Sequence, residues 1–504
     1  MESTVAEPGS QSPGEAGSQL KAGAMGVRSI VFMVVATAAP LTAMASAFPL
    51  AVALGNGIGA PGTYVAVALV LALFAVGYAA MSRHLTNAGA FFAYVTVGLG
   101  RRLGMAAGLV AVLAYNVLVL YVVGLVGYFA NNIFATEIGI DIPWQVFSFG
   151  LLAVALIVGI LGVEVNARVL GVLLILETGL LLLVDIATLV VKGPGAYPIS
   201  ALSPTEIFSG AVGIGFMFVF ISFIGFEATA IFGEEAQDPR RTVPRATKVA
   251  IAFIGIVYLF SSWSLIAASG GVDAPAAAAA DPGNFVFNAA HGVLGGWSVH
   301  VMSWLLLTSL IAVLFALHGM ATRYLMAFGR EGVLPRPLGR THPRFQTPHI
   351  AACAQAGVVA VAVIGYSLAG ADPYLDLGNQ TAGLGALGVI GLMGVTSIAV
   401  IGFFLRRPDR HWWTHGVAPA LAAAGLFCGC YLIIDNYPLL TGSDSAIVNG
   451  MPWLLVIVAV IGFVVGSVRP LRTNLDIFGT GPVTGAQNTF ADEVRSSGPV
   501  RAES

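Results

Sequence analysis

The chain has 504 residues, of which 57% are apolar and only 10% charged, where a soluble globular protein carries roughly 25% charge. Lys and Arg number 23 and Asp and Glu 25, a net charge of -2, so the scarcity of charge is informative and its sign is not. So little polar surface cannot cover a soluble core of this size. A soluble enzyme, a nucleic-acid binder and a disordered chain are excluded, which leaves an integral membrane protein.

In chain order, residues 1–26 hold Glu2, Glu7 and Glu15 among Pro, Gly and Ser. No basic start leads straight into an apolar stretch, so this segment reads as a disordered cytoplasmic tail and not as a cleaved signal. Twelve apolar runs follow, each near the 20 residues that a crossing needs: 29–54, 60–81, 104–130, 143–162, 166–192, 207–233, 247–270, 297–328, 349–369, 375–405, 416–435 and 451–469. The polar segment 473–504 is expected to be a second disordered cytoplasmic tail. The three cysteines, Cys353, Cys428 and Cys430, have neither a disulfide framework nor metal-ligand spacing.

Positive charge orients the spans. With the N-terminus inside, the inner connections hold Arg83, Arg101, Arg102, Arg168, Arg240, Arg241, Arg245, Lys248, Arg330, Arg336, Arg340, Arg344, Arg406, Arg407 and Arg410. The outer connections near 131–142, 271–296, 370–374 and 436–450 hold none, but carry Asp141, Asp273, Asp281 and Asp372. Lys192 is the one basic residue at an outer edge. Both termini are therefore expected in the cytoplasm. The inner Arg clusters read first as topology determinants, with a phospholipid site left open.

Two runs look interrupted. The first carries Ala38-Ala39-Pro40-Leu41-Thr42 near its middle and Phe48-Pro49 further on. Proline removes a backbone donor and clashes with the preceding turn, and freed carbonyls at membrane depth need protein or a water-lined cavity around them. A simple proline kink is the competing reading. The sixth run reads Phe220-Ile221-Ser222-Phe223-Ile224-Gly225-Phe226-Glu227, placing Ser, Gly and a carboxylate together in apolar surroundings. Gly costs about 1 kcal/mol in a helix interior, and an ionisable group within a membrane is functional by default. Interruptions at corresponding positions point to an inverted-repeat transporter. The expected fold is all-α, with 12 transmembrane helices in a 5+5 inverted-repeat arrangement and discontinuous helices 1 and 6. Residues 27–192 would form the first repeat, 204–405 the second, and 412–470 two peripheral spans.

Three ordered motifs then carry a family resemblance. Gly225-Phe226-Glu227 with Gly233-Glu234-Glu235-Ala236-Gln237-Asp238-Pro239-Arg240-Arg241-Thr242-Val243-Pro244-Arg245-Ala246 resembles span 6 and the following loop of amino acid–polyamine–organocation (APC) permeases. Ala321-Thr322-Arg323-Tyr324, Gly329–Pro335 and Thr347-Pro348 are similar to that family's loop after span 8, and Asn87–Tyr94 with Gly98-Leu99-Gly100 to its stretch between spans 2 and 3. The resemblance implies an amino acid or amine substrate held at the two breaks, with Ala39, Pro40, Thr42, Ala43, Ser222, Phe223, Gly225 and Phe226 around it. In many relatives a Gly-Ser/Thr-Gly step in span 1 meets the substrate carboxylate. Thr42-Ala43-Met44 stands there in this sequence, so that geometry does not transfer.

Glu177 lies eleven residues past Asn166, about 16 Å along a helix and near the midplane of a core about 30 Å thick. Desolvation there disfavours the charged form, which suits a proton carrier; a protonated, hydrogen-bonded packing role competes. The position resembles one in span 5 where several relatives have a lysine facing spans 1 and 8, taken to replace or gate sodium. Glu227 resembles a gating or proton-responsive position and is also placed to cap a half-helix. Asn116 and its neighbours Tyr115 and Tyr121 are placed to line a cavity or to glue helices. Phe223 and Phe226 are placed to cap an amine through their ring faces. Asp185 and His318 are expected near the outer and inner interfaces.

The leading expectation is a secondary transporter of an amino acid or related amine working by alternating access, coupled to protons or, as the rival, sodium, and without a cofactor. The Gly-x4-Gly-Lys-Ser/Thr phosphate loop is missing from the sequence. An amine or polyamine exchanger and a non-transporting sensor or assembly partner are the alternatives, and a membrane enzyme is a third class without supporting motifs. Abundant Ala and Gly with only Lys21, Lys192 and Lys248 suggests the plasma membrane of a bacterium.

Overall fold

The computed structural model of the protein describes residues 26–468 apart from 86–89, 163–166, 228, 230–235 and 409. Both tails, the Asn87-Ala88-Gly89 step, Asn166 and the Glu234-Glu235 pair lie outside the described residues. Helix fills the chain because an apolar segment with no water around it must satisfy its backbone within itself.

Helix α1 (Val27–Ala38) gives way at Ala39 to α2 (Pro40–Thr42), which continues through wide π-type turns at Ala43–Ala47 and Ala51–Asn56. The following helices are α3 (Ala60–Ser82), α4 (Ala90–Leu99), α5 (Arg101–Ile133), α6 (Trp144–Leu161), α7 (Ala167–Lys192) and α8 (Val212–Phe223). The rest are α9 (Pro239–Ala268), α10 (Phe285–Leu294), α11 (Gly296–Arg330), α12 (His349–Leu368), α13 (Asn379–Leu405), α14 (Ala418–Asp435) and α15 (Pro452–Val468). Each apolar run read from the sequence contains helix. Among the described residues, 9 helical stretches are long and apolar enough to cross a membrane, one of them (Ile30–Ser82) running through both α1 and α3.

Several boundaries differ from the sequence reading. The long helix of the run 207–233 starts only at Val212, after a single turn at Pro204–Ile207, because Gly210 takes a positive φ against the Gly55 carbonyl and turns the chain. The run 247–270 extends back to Pro239, where a proline at the first helical position loses no hydrogen bond. The connection 271–296 holds two helices, Ala274–Ala280 and α10. Helix α10 buries Phe285, Val286, Ala289 and Ala290, and Phe285 approaches Phe48 at 6.1 Å between ring centroids.

Helix α5 is the central post, packed against α4, α6, α11, α13 and α15, while α9 packs on α1, α3 and α7. One close approach needs glycine: Gly98 of α4 lies against the Ala399 backbone of α13 with no room for a Cβ. The α1–α2 break and the end of α8 come together between these two groups of helices.

Candidate functional site

The first break is local chemistry. Ala39 adopts a left-handed conformation (φ 44°, ψ 78°), its N–H still donating to the Val35 carbonyl at 2.9 Å. Pro40 has no N–H to continue the ladder, and regular bonding resumes when the Ala43 N–H donates to Ala39 O at 2.9 Å. The second break begins where α8 stops at Phe223: Ile224 turns extended (ψ 134°) and Gly225 takes φ 116°, a region that L side chains rarely enter.

The breaks touch. A Cβ on Gly225 would stand 2.7 Å from Cγ2 of Thr37 and 3.4 Å from the Ala38 nitrogen. The hydroxyl of Tyr258, from α9, lies 2.9 Å from Ala38 O and 3.0 Å from Ser222 O, placed to donate to a carbonyl on either side of the junction. Tyr64 of α3 brings its hydroxyl within 3.1 Å of Ser222 Oγ, which itself donates to Phe218 O at 2.8 Å.

Two buried carboxyls flank this junction. The hydroxyl of Thr42 donates to Ser309 Oγ at 3.0 Å, and Ser309 lies beside the buried Glu177. Helices α2, α11 and α7 pack against one another at this point. On the other side, Tyr115 donates to Glu227 Oε1 at 2.8 Å, and the Gly225 N–H donates to Glu227 Oε2 at 2.8 Å. Tyr78 donates to the Glu227 carbonyl at 3.0 Å, and Tyr115 stacks on Tyr324 at 5.2 Å between centroids. Glu227 is fully buried and Glu177 is 4% exposed, and among the described residues neither has a Lys or Arg within ion-pair distance. An isolated buried charge is costly, so a proton or cation at these groups changes the energetics of the junction.

Most of the residues singled out in the sequence meet here. Ala39, Pro40, Thr42, Ala43, Ser222, Phe223, Gly225 and Phe226 are all buried at or beside the breaks. Phe223 packs with Tyr258 and Tyr64 at 5.4 and 6.2 Å, and Phe226 stands edge-on to Phe74 at 5.9 Å. Both rings are fully buried in this conformation. Asn116 is different: its amide donates to Val112 O of its own helix at 2.7 Å, and Tyr115 is the α5 residue that reaches the break.

Two placements are corrected. Asp185, expected to be solvated at the outer edge, is buried and accepts from Ser261 at 2.8 Å, because it lies on the α7 face that packs against α9. His318, expected at the inner interface, is 2% exposed, with Nδ1 2.6 Å from Gln355 Oε1 and Gly159 of α6 close by. Distance along a helix says nothing about which face a residue occupies. Sequence reasoning missed Ser309, Tyr64, Tyr78 and Tyr258. The available signal was a tyrosine within an apolar run, since a buried tyrosine hydroxyl usually finds a partner; a lone serine in such a run is too common to stand out.

Comparison with known proteins identifies the family and the fold. Residues 25–466 match the family described as "Amino acid permease". A branched-chain amino acid permease of Bacillus subtilis, BcaP, is 27% identical over 425 residues, covering 79% of this chain and 84% of that protein. A methylthioribose transporter of the same organism is 25% identical over 363 residues, covering 69% and 74%. Among solved structures, MhsT in complex with L-phenylalanine superposes with a TM-score of 0.55 at 14% identity, covering 85% of this chain and 98% of that one. An Eremococcus coleocola manganese transporter mutant gives 0.55 at 12% identity, covering 91% and 99%. At such identities these two likenesses speak for the fold.

Proposed function

Because this multi-pass membrane protein belongs to the amino acid permease family of the APC superfamily, we propose that it is a secondary active transporter of an amino acid or related amine, driven by protons through Glu177. The observation that carries this reading is the contact between the two breaks, with the buried Glu177 on the helix that packs against α2.

Twelve crossings, ten of them in two inverted repeats of five and the last two peripheral, leave both termini in the cytoplasm of a bacterial cell. The C-terminal ends of the half-helices, at Ala38 and Ser222–Phe223, present carbonyls that take the amine of the substrate. Phe223, Phe226 and Tyr258 surround an apolar side chain, in keeping with relatives named for branched-chain amino acids. Alternating access then opens the junction to one side at a time, and protonation of Glu177 removes a buried charge from the helix packed against α2.

The test is uptake of a radiolabelled amino-acid and polyamine panel into proteoliposomes, with an imposed pH gradient and no sodium. Accumulation of an amino acid is expected. Accumulation that needs a sodium gradient instead would overturn the proton reading, and binding without uptake would favour a sensor.

A further inference from the structure

We propose that a basic cavity between the ends of α3, α9 and α13 binds the phosphate headgroup of an anionic phospholipid. The cavity measures about 760 Å³ and is lined by Arg83, Arg240, Arg241, Arg245, Lys248 and Arg407, with His84 at its wall and no carboxylate among its described lining residues. Arg241 has Asp238 at 3.7 Å, and Arg407 lies over the Phe403 ring at 4.4 Å. Among the described residues Arg83, Arg240, Arg245 and Lys248 have no acidic partner.

This arrangement is unfavourable on its own terms. Arg240 and Arg241 occupy the first turn of a 30-residue helix, where the backbone dipole favours negative charge. Arg241 and Arg245 are four residues apart, a spacing at which like charges destabilise a helix. A bound phosphate reverses both effects, because it meets the guanidinium groups in bidentate geometry and complements the helix end.

The neighbouring surface selects a lipid over a soluble anion. Immediately after Lys248, α9 exposes Val249, Phe253, Ile256 and Phe260 at 51, 42, 59 and 54%. These residues form a stripe about 16 Å long. A cationic pocket that runs into an exposed apolar stripe fits one molecule carrying an anionic head and acyl chains.

The experiment uses the full chain purified in detergent and reads binding, so a failure of the transport reading leaves it intact. Phosphatidylglycerol or cardiolipin should raise the unfolding temperature and remain bound in native mass spectrometry, whereas phosphatidylcholine should not. Arg240→Gln/Arg245→Gln should reduce retention of the anionic lipid at least tenfold, and Lys248→Gln alone should reduce it less. Equal retention by the double variant and the unaltered protein would overturn the proposal. So would stabilisation by pyrophosphate alone that matches the lipid's, since the site would then take a soluble anion. If the double variant does not fold, competition of pyrophosphate against phosphatidylglycerol on the unaltered protein decides: displacement supports a shared phosphate site, and no displacement refutes it.

Discussion

The hydroxyl of Tyr258 stands 2.9 Å from the carbonyl of Ala38, the residue at which the first helix ends. The same hydroxyl is 3.0 Å from the Ser222 carbonyl at the end of α8. One side chain from α9 therefore serves both interruptions, in surroundings where a buried carbonyl without a donor is costly.

Tyr258→Phe keeps the ring and its packing on Tyr64 and Phe223, each at 5.4 Å between centroids, and removes only the donor. It is expected to destabilise the protein by about 1–3 kcal/mol, the cost of an unsatisfied buried polar group, and to lower substrate uptake. Thermal unfolding in detergent and proteoliposome uptake measure the two effects. Unaltered values in both would show that the hydroxyl does not hold the junction.

Gly225→Ala tests the contact between the breaks. The added methyl would meet Thr37 Cγ2 at 2.7 Å on a backbone with φ 116°, and such strain costs of order 1–3 kcal/mol. Gly179→Ala is the control, with nothing within 4 Å of the added carbon. The melting temperature should fall for Gly225→Ala and stay level or rise for Gly179→Ala; equal behaviour of the two would contradict the close contact.

Tyr115→Phe and Glu227→Gln address the hydrogen bond between them through a double-mutant cycle. Their effects on unfolding free energy should depart from additivity by about 0.5–3 kcal/mol, as for directly contacting groups. Additive losses would mean that the 2.8 Å contact contributes nothing to holding Glu227.

Glu177→Gln retains size and hydrogen-bonding capacity while removing the exchangeable charge. Substrate binding and exchange should persist, and accumulation driven by an acidic exterior should disappear in the absence of sodium. If the variant concentrates substrate as the unaltered protein does, Glu177 is structural and the proton reading fails.

Pattern in the chain was enough for the breaks and for the carboxyls beside them. Pro40 and Gly225 are backbone constraints written into single residues, and Glu177 and Glu227 stand out because charge is rare in such runs. The partners Ser309, Tyr64, Tyr78 and Tyr258 carried no comparable mark. Asn116 and Tyr115 show the limit most directly: adjacent in sequence, they point about 100° apart on a helix, and only Tyr115 reaches Glu227.

The sequence by itself determined that the chain is helical, membrane-embedded and interrupted where it is, because burial in an apolar medium and the covalent limits of proline and glycine act locally. Which side chains complete the junction was decided only by tertiary structure. Thr42 and Ser309 are 267 residues apart and Ala38 and Tyr258 are 220 apart, and no local periodicity records a contact made by helices crossing at one point. The same holds for Asp185 and His318, whose burial follows from the neighbour that each helix face meets and not from position along the helix.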